Sequence, residues 1–252
     1  MPGVIFSFML FRRTVLMRFS DHRRLTRLWA ASFALSVAIF ALWPGVDLAV
    51  SGLFFTPGEG FTLARSAGLE ILRQAIWGIS VLVVLVAVAA FAAALAGRPV
   101  AALDLRQGGF ILSLYLLGPI VLADGLLKRF WGRARPANVE AFGGVQQFTP
   151  PWLPAQECAS NCSFVSGEGA AATALAISLA VLAPAVRRAA PAWAYRTYVM
   201  LAIVLPATGL ALRVMLGRHF LSDTVFAMLF VSGIALILAR FLLLPRQHRG
   251  SC

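Results

Sequence analysis

The stretch "IWGISVLVVLVAVAAFAAALA", residues 76–96, carries no charged side chain. A helix that is apolar on every face has no side to turn toward water, so it belongs in a large protein core or in a bilayer. The chain has 252 residues, of which 60% are hydrophobic and 13% charged, more apolar side chain than one aqueous core of this length takes up. A bilayer asks for about 20 apolar residues per helical crossing. Suitable runs recur at roughly 28–48, 74–96, 108–127, 167–186, 196–213 and 219–242. The fifth contains Pro206, which a membrane helix tolerates because neighbouring groups re-satisfy the backbone. The expected fold class is all-α: a polytopic membrane protein with six transmembrane helices.

The net charge is +12, and its distribution reads as orientation. Arg12, Arg13, Arg18, Arg23, Arg24 and Arg27 precede the first run. Arg98 and Arg106 separate the second from the third, Arg187, Arg188 and Arg196 surround the fourth connection, and Arg246 and Arg249 follow the sixth. The positive-inside rule puts all of these in the cytoplasm. Residues 1–27 then form a basic cytoplasmic segment, 28–244 the membrane domain, and 245–252 a cytoplasmic tail. Nucleic acid is disfavoured as a partner, because the basic residues flank spans instead of forming one soluble patch. No cleavable signal peptide is expected, since the run "VIFSFMLF" is short and leads into arginines; Met9 and Met17 are also possible starts.

This orientation makes the connection after the third run extracytoplasmic, yet it holds Lys128, Arg129, Arg133 and Arg135. Positive charge on the wrong side points to an anionic ligand at the outer membrane surface. The same connection carries Cys158 and Cys162, which an oxidising compartment would let pair. Two thiols without a nearby histidine make an incomplete metal site, so no metal is expected. Of the three histidines, His22 and His248 read as residues of solvated basic tails. His219 lies between two apolar runs with Arg213 and Asp223.

Three segments thus share one side: "KRFWGRARP", "SFVSGEGA" and "LRVMLGRHFLSD". Singly they read as a snorkelling cluster, a helix N-cap with an acidic first turn, and an interfacial histidine. Together they fit a phosphate. Lys128 and Arg135, seven apart, would lie on one face of a helical extension of the third span that Pro136 ends. Arg135 supplies a planar fork and Lys128 a point charge. Ser166 and Gly167, where the fourth span begins, would offer backbone N–H groups and the positive end of the helix dipole. Arg213 adds a third cation. Asp223, one helical turn beyond His219, would fix its tautomer and leave the other ring nitrogen to attack phosphorus.

Lys-x6-Arg-Pro, then Ser-Gly before a helix, then Arg-x5-His-x3-Asp resembles the type 2 phosphatidic acid phosphatase superfamily. The likeness covers about residues 108–235 by motif and nearly the whole chain by span count. It implies a metal-independent, cofactor-free enzyme in which His219 forms a phosphohistidine, Asp223 supports it, and Lys128, Arg135, Ser166, Gly167 and Arg213 surround the phosphate.

Two departures stand out. Val165-Ser166-Gly167-Glu168 replaces the usual Pro-Ser-Gly-His, and Leu212 replaces the serine before the arginine of the third motif. Glu168 is then a general acid, which needs burial to outweigh the nearby cations, or it contacts a polar group of a substrate whose leaving group needs little protonation, or it activates water. A plain first-turn acid complementing the dipole is the bland alternative. The loop 137–165, with Phe142, Phe148 and Trp152, would form a lid or a membrane-facing rim, or simply pack.

A site at the interface suits a lipid phosphate, and the resemblance implies lipid A, undecaprenyl pyrophosphate, phosphatidylglycerophosphate or phosphatidic acid, with lipid A favoured. The expected location is a bacterial inner membrane, with both termini cytoplasmic and the active site periplasmic. A non-catalytic lipid-phosphate binder or transporter is the alternative from another class. The oligomeric state is not legible.

Overall fold

The computed structural model describes residues 19–98 and 103–244. Seven helices order the chain: α1 Phe19–Leu42, the short α2 Val46–Gly52, α3 Ala67–Leu95, α4 Leu105–Phe130, α5 Gly167–Ala189, α6 Ala192–Met215 and α7 Leu221–Leu242. Among the described residues no strand forms, and 6 of these helices are long and apolar enough to cross a membrane. The chain is therefore an all-α, multi-pass membrane protein.

The boundaries differ from the sequence expectation in informative places. The first span ends at Leu42, and Pro44 and Gly45 separate it from α2, so the expected run 28–48 is two elements. The span begins earlier too. His22 lies on α1, half-buried, with its Nε2–H donated to the Leu236 carbonyl at 3.0 Å, and not in a solvated tail. The second span starts at Ala67, capped by the Ser66 hydroxyl, so Glu70 and Arg73 sit within its first turns. Residues 1–18, 99–102 and 245–252 lie outside the described residues, among them Arg12, Arg13, Arg18, Arg246, His248 and Arg249.

Small side chains decide which helix is central. α5 opens with "GEGAAATALA" and is the most buried span, whereas α1 is the least buried. Without bulky side chains, α6 and α7 approach it closely, the usual route to tight packing between membrane helices. Outward-facing Leu35, Leu82, Ile203 and Phe241 are exposed and form the surface a bilayer would cover. From Leu116 to Leu127, α4 is wound in the looser π register around Pro119, whose missing N–H interrupts the ordinary ladder.

Antiparallel connection brings the ends of α1, α4 and α6 and the starts of α3, α5 and α7 to one end of the bundle. Arg23, Arg24, Arg27, Arg106, Arg187, Arg188 and Arg196 lie at the opposite end or in its connections.

The long connection 131–166 is folded down onto that first end. Gly132, at φ 67°, turns the chain out of α4, and a Cβ there would strike the Ala155 carbonyl. Arg133 then enters the interior with no exposed surface. Its guanidinium donates to Thr149 O and Ser222 Oγ, each at 2.8 Å, to Asp223 Oδ1 at 2.5 Å and to Asp47 Oδ2 at 2.8 Å. It also lies over the Phe220 ring, 4.5 Å from its centroid. Asp47 Oδ1 accepts the Ser222 N–H at 2.8 Å. This cluster binds α2, the connection and the start of α7. The aromatics of the connection pack inward: Phe148 against Phe220, Phe142 against Phe55 and Phe61, and Trp131 on Phe164.

Removing one partner of a buried ion cluster leaves uncompensated charge, here two carboxylates. Arg133→Ala is expected to lose roughly 3–5 kcal/mol of stability. Thermal and denaturant unfolding in detergent micelles measures it, and a change within error would show that the cluster does not hold this end together.

Candidate active site

His219 stands between α6 and α7, in the turn that ends one helix and starts the other. Its backbone N–H, like that of Arg218, returns to the Arg213 carbonyl, at 3.0 and 3.1 Å. The His219 ring is 1% exposed. Its Nδ1 lies 2.8 Å from the Ser163 carbonyl, whereas Asp223 Oδ2 is 3.8 Å away. A carbonyl only accepts, so Nδ1 carries the proton and Nε2 keeps its lone pair.

This corrects the expected helical His219–Asp223 pair. His219 precedes the helix, and Asp223 sits in its first turn, where Oδ2 accepts the Phe220 N–H at 2.8 Å and the Ser163 hydroxyl at 2.5 Å. Asp223 acts on the ring as a nearby charge, and Ser163 is the group that orients it. Burial pushes the His219 imidazole down to about 4; the Asp223 carboxylate opposes that shift, and Arg213 and Lys128 reinforce it.

Lys128 and Arg135 do not share a helix face. α4 ends at Phe130, and Arg135 is in extended backbone at φ −84°, ψ 155°. The turn at Gly132 is the reason. Arg135 donates to the Asn161 carbonyl and to its side-chain oxygen, both at 2.9 Å, which ties it to the segment beside the Cys158–Cys162 bridge. Lys128 Nζ pairs with Asp124 Oδ1 at 2.8 Å. Both groups lie over the start of α5, where a Cβ on Gly167 would collide with the Asp124 carboxylate and sit 2.6 Å from Lys128 Nζ. Glycine at this position lets the ammonium reach the positive end of a helix.

At that helix start Ser166 is already engaged. Its hydroxyl caps the Gly169 N–H at 3.0 Å, and its own N–H donates to the Asp223 carbonyl at 3.2 Å. The expectation of a free Ser166 N–H is thereby corrected. The N–H groups of Gly167 and Glu168 are the first-turn donors that lack an acceptor within the helix. Glu168 itself is shared between two guanidiniums: Arg73 Nη1 to Oε1 at 3.0 Å and Arg213 Nη1 to Oε2 at 3.1 Å. Arg213 is mostly buried, and among the described residues its Nε has no hydrogen-bond partner. Arg135 and Arg218 lie close enough to repel it.

The arrangement can hold a small dianion. Several cations and one helix start face a neutral, buried imidazole whose Nε2 keeps its lone pair. Sequence reasoning passed over Ser163, Asp47, Glu70, Arg73, Asp124 and Arg218. Three of these had a signal: Asp47 lies inside an apolar run, and Glu70-x-x-Arg73 abuts a charge-free span, positions at which a charged residue needs a partner.

Residues 108–249 match the PAP2 superfamily. The chain is 31% identical to a lipid A 4′-phosphatase of Rhizobium leguminosarum over 207 residues, covering 77% of this chain and 85% of that protein. It is 31% identical to a lipid A 4′-phosphatase of Rhizobium etli over 210 residues, covering 74% and 75%. A lipid A 4′-phosphatase of Francisella tularensis subsp. novicida is 34% identical over 128 residues, 50% of this chain and 54% of that protein. No solved structure matches.

A histidine ring held at Nδ1 by a carbonyl and displaced to about 4 by burial stays neutral well below the ordinary range of 6.5. Nitrogen-15 spectra of histidine-labelled protein at pH 5.5 are expected to show His219 as the neutral Nδ1–H form. Its imidazolium signal should grow only as the pH falls through about 4. A protonated His219 ring at pH 5.5, assigned with His219→Ala, would contradict this geometry.

Proposed function

This chain belongs to the PAP2 superfamily and is a membrane lipid phosphatase, and from that premise we propose that it removes the 4′-phosphate of lipid A with His219 as nucleophile. The observation that carries the mechanism is the 2.8 Å contact from His219 Nδ1 to the Ser163 carbonyl, because it leaves Nε2 unprotonated and fixed.

In the first step Nε2 forms a bond to phosphorus, the bond from phosphorus to the 4′-oxygen breaks, and that oxygen leaves with the electron pair and takes a proton from water. The phosphorylated ring keeps its Nδ1 proton and so carries positive charge. Asp223, at 3.8 Å, offsets that charge. Lys128, Arg135, Arg213 and the α5 start balance charge on the equatorial oxygens. In the second step water adds to phosphorus, its proton passes to solvent, and the electron pair of the broken P–N bond returns to Nε2. No metal or cofactor enters either step.

The relatives' names favour the 4′ position over an anomeric phosphate. A secondary sugar hydroxyl is a poorer leaving group than an anomeric one, so the idea that Glu168 is an accessory because departure is easy loses its motive. Glu168 is nonetheless no proton donor in this reading, since both its oxygens accept from arginine. The arginine-rich bundle end supports a cytoplasmic assignment for that end by the positive-inside rule. We accordingly place His219 on the periplasmic side of a bacterial inner membrane.

Purified wild-type protein in detergent with EDTA is expected to release phosphate from lipid A faster than from undecaprenyl pyrophosphate, phosphatidylglycerophosphate or phosphatidic acid. His219→Ala should release none. Arg135→Ala or Arg213→Ala should lose about 10²–10³ in kcat through lost charge stabilisation. Turnover by a folded His219→Ala protein would rule out the histidine nucleophile.

A further inference from the structure

We infer that Arg73 of α3 is a positioning residue for the phosphate site, acting through Glu168 on Arg213. The inference rests on reading this end of the bundle as a phosphate site. It concerns a part of the chain that precedes the stretch matching the superfamily, which begins at residue 108.

The observation is a chain of alternating charges across three spans. Glu70 holds Arg73 through two bonds, Nε to Oε2 at 2.8 Å and Nη2 to Oε1 at 2.5 Å, and Gln74 Nε2 donates to the same Glu70 at 2.8 Å. Arg73 then gives Nη1 to Glu168 Oε1, and Glu168 Oε2 takes Nη1 of Arg213. The sequence −, +, −, + therefore runs from α3 through α5 to α6, and Arg213 is its terminal member. Arg213 Nε has no hydrogen-bond partner among the described residues.

The physical consequence follows from charge. A carboxylate facing Arg213 alone would neutralise it and stand as a negative group beside an incoming dianion. Shared with Arg73, the Glu168 carboxylate divides its attraction between two guanidiniums, and Arg213 keeps an edge for phosphate. Without Arg73, Glu70 and Glu168 become two carboxylates beside one arginine, and the site repels an anion. At the position where the resembling family carries a neutral or cationic histidine, this chain carries an acid, and a cation from another span pairs with it.

The test is a double-mutant cycle read as binding of orthovanadate, a phosphate-shaped anion, by titration calorimetry on the intact protein in detergent, alongside kcat and KM for lipid A. Arg73→Ala is expected to weaken orthovanadate binding roughly tenfold in the wild-type background. It should have a clearly smaller effect in the Glu168→Gln background, where Glu70 is the one carboxylate left without its arginine and nothing links Arg73 to Arg213. Arg73→Lys should restore most of the loss. Arg73→Gln, neutral and of similar length, should behave as Arg73→Ala and serves if the alanine variant fails to fold.

Equal loss in both backgrounds, or no loss in either, would overturn the inference, as would a wild-type protein that does not bind orthovanadate. A wild type that binds orthovanadate yet releases no phosphate from any lipid would sink the phosphatase reading instead, and the cycle would still report on Arg73.

Discussion

The buried contact of Arg133 with Asp47 and Asp223 is the constraint on which this end of the molecule depends. One guanidinium with no exposed surface joins a carboxylate from the helix after the first span to a carboxylate from the start of the last. Charges taken out of water are tolerable only when each is paired and its remaining donors and acceptors are satisfied. Here Thr149, Ser222, Ser163 and the Phe220 N–H complete the set. The member of the cluster nearest the ring is the Asp223 carboxylate, 3.8 Å from His219 Nδ1. In the proposed mechanism that carboxylate offsets the positive charge the ring gains on accepting a phosphoryl group.

The site thus has two electrostatic zones. Beneath His219 lie the Asp223 carboxylate and the Arg133 cluster, buried and dry. Above it Lys128, Arg135, Arg213 and Arg218 make a positive, partly open surface against the start of α5. The imidazole lies at their boundary, too buried to protonate readily and oriented by a backbone carbonyl that cannot change its charge. An orienting carbonyl keeps the tautomer fixed even when the surrounding carboxylates are occupied elsewhere, and Asp223 is so occupied.

The spans were legible because apolar length is a local property. Charge-free 76–96 needs no partner to declare itself, and the three phosphate motifs could be grouped by the side of the membrane their spans imply. What stayed hidden was set by tertiary contact. Ser163 acts through its carbonyl, which every residue possesses, so no side-chain pattern marks it. The turn at Gly132 breaks a helix that spacing alone would extend to Pro136, and it takes Arg135 off the helix that carries Lys128. Glu70 and Arg73 were hidden by a boundary error of about two helical turns, and His22 by the assumption that a basic segment is a solvated one.

The span from Asp47 to Ser222 has a temporal side as well. The two residues are 175 positions apart in the chain. At a ribosomal rate of roughly 5–20 residues per second, the second emerges on the order of ten to thirty-five seconds after the first. Throughout that interval the Asp47 carboxylate has no Ser222 N–H to accept, and the nascent protein lacks the histidine turn altogether. The Arg133 cluster closes only when the sixth crossing docks and an early part of the polypeptide meets a late one.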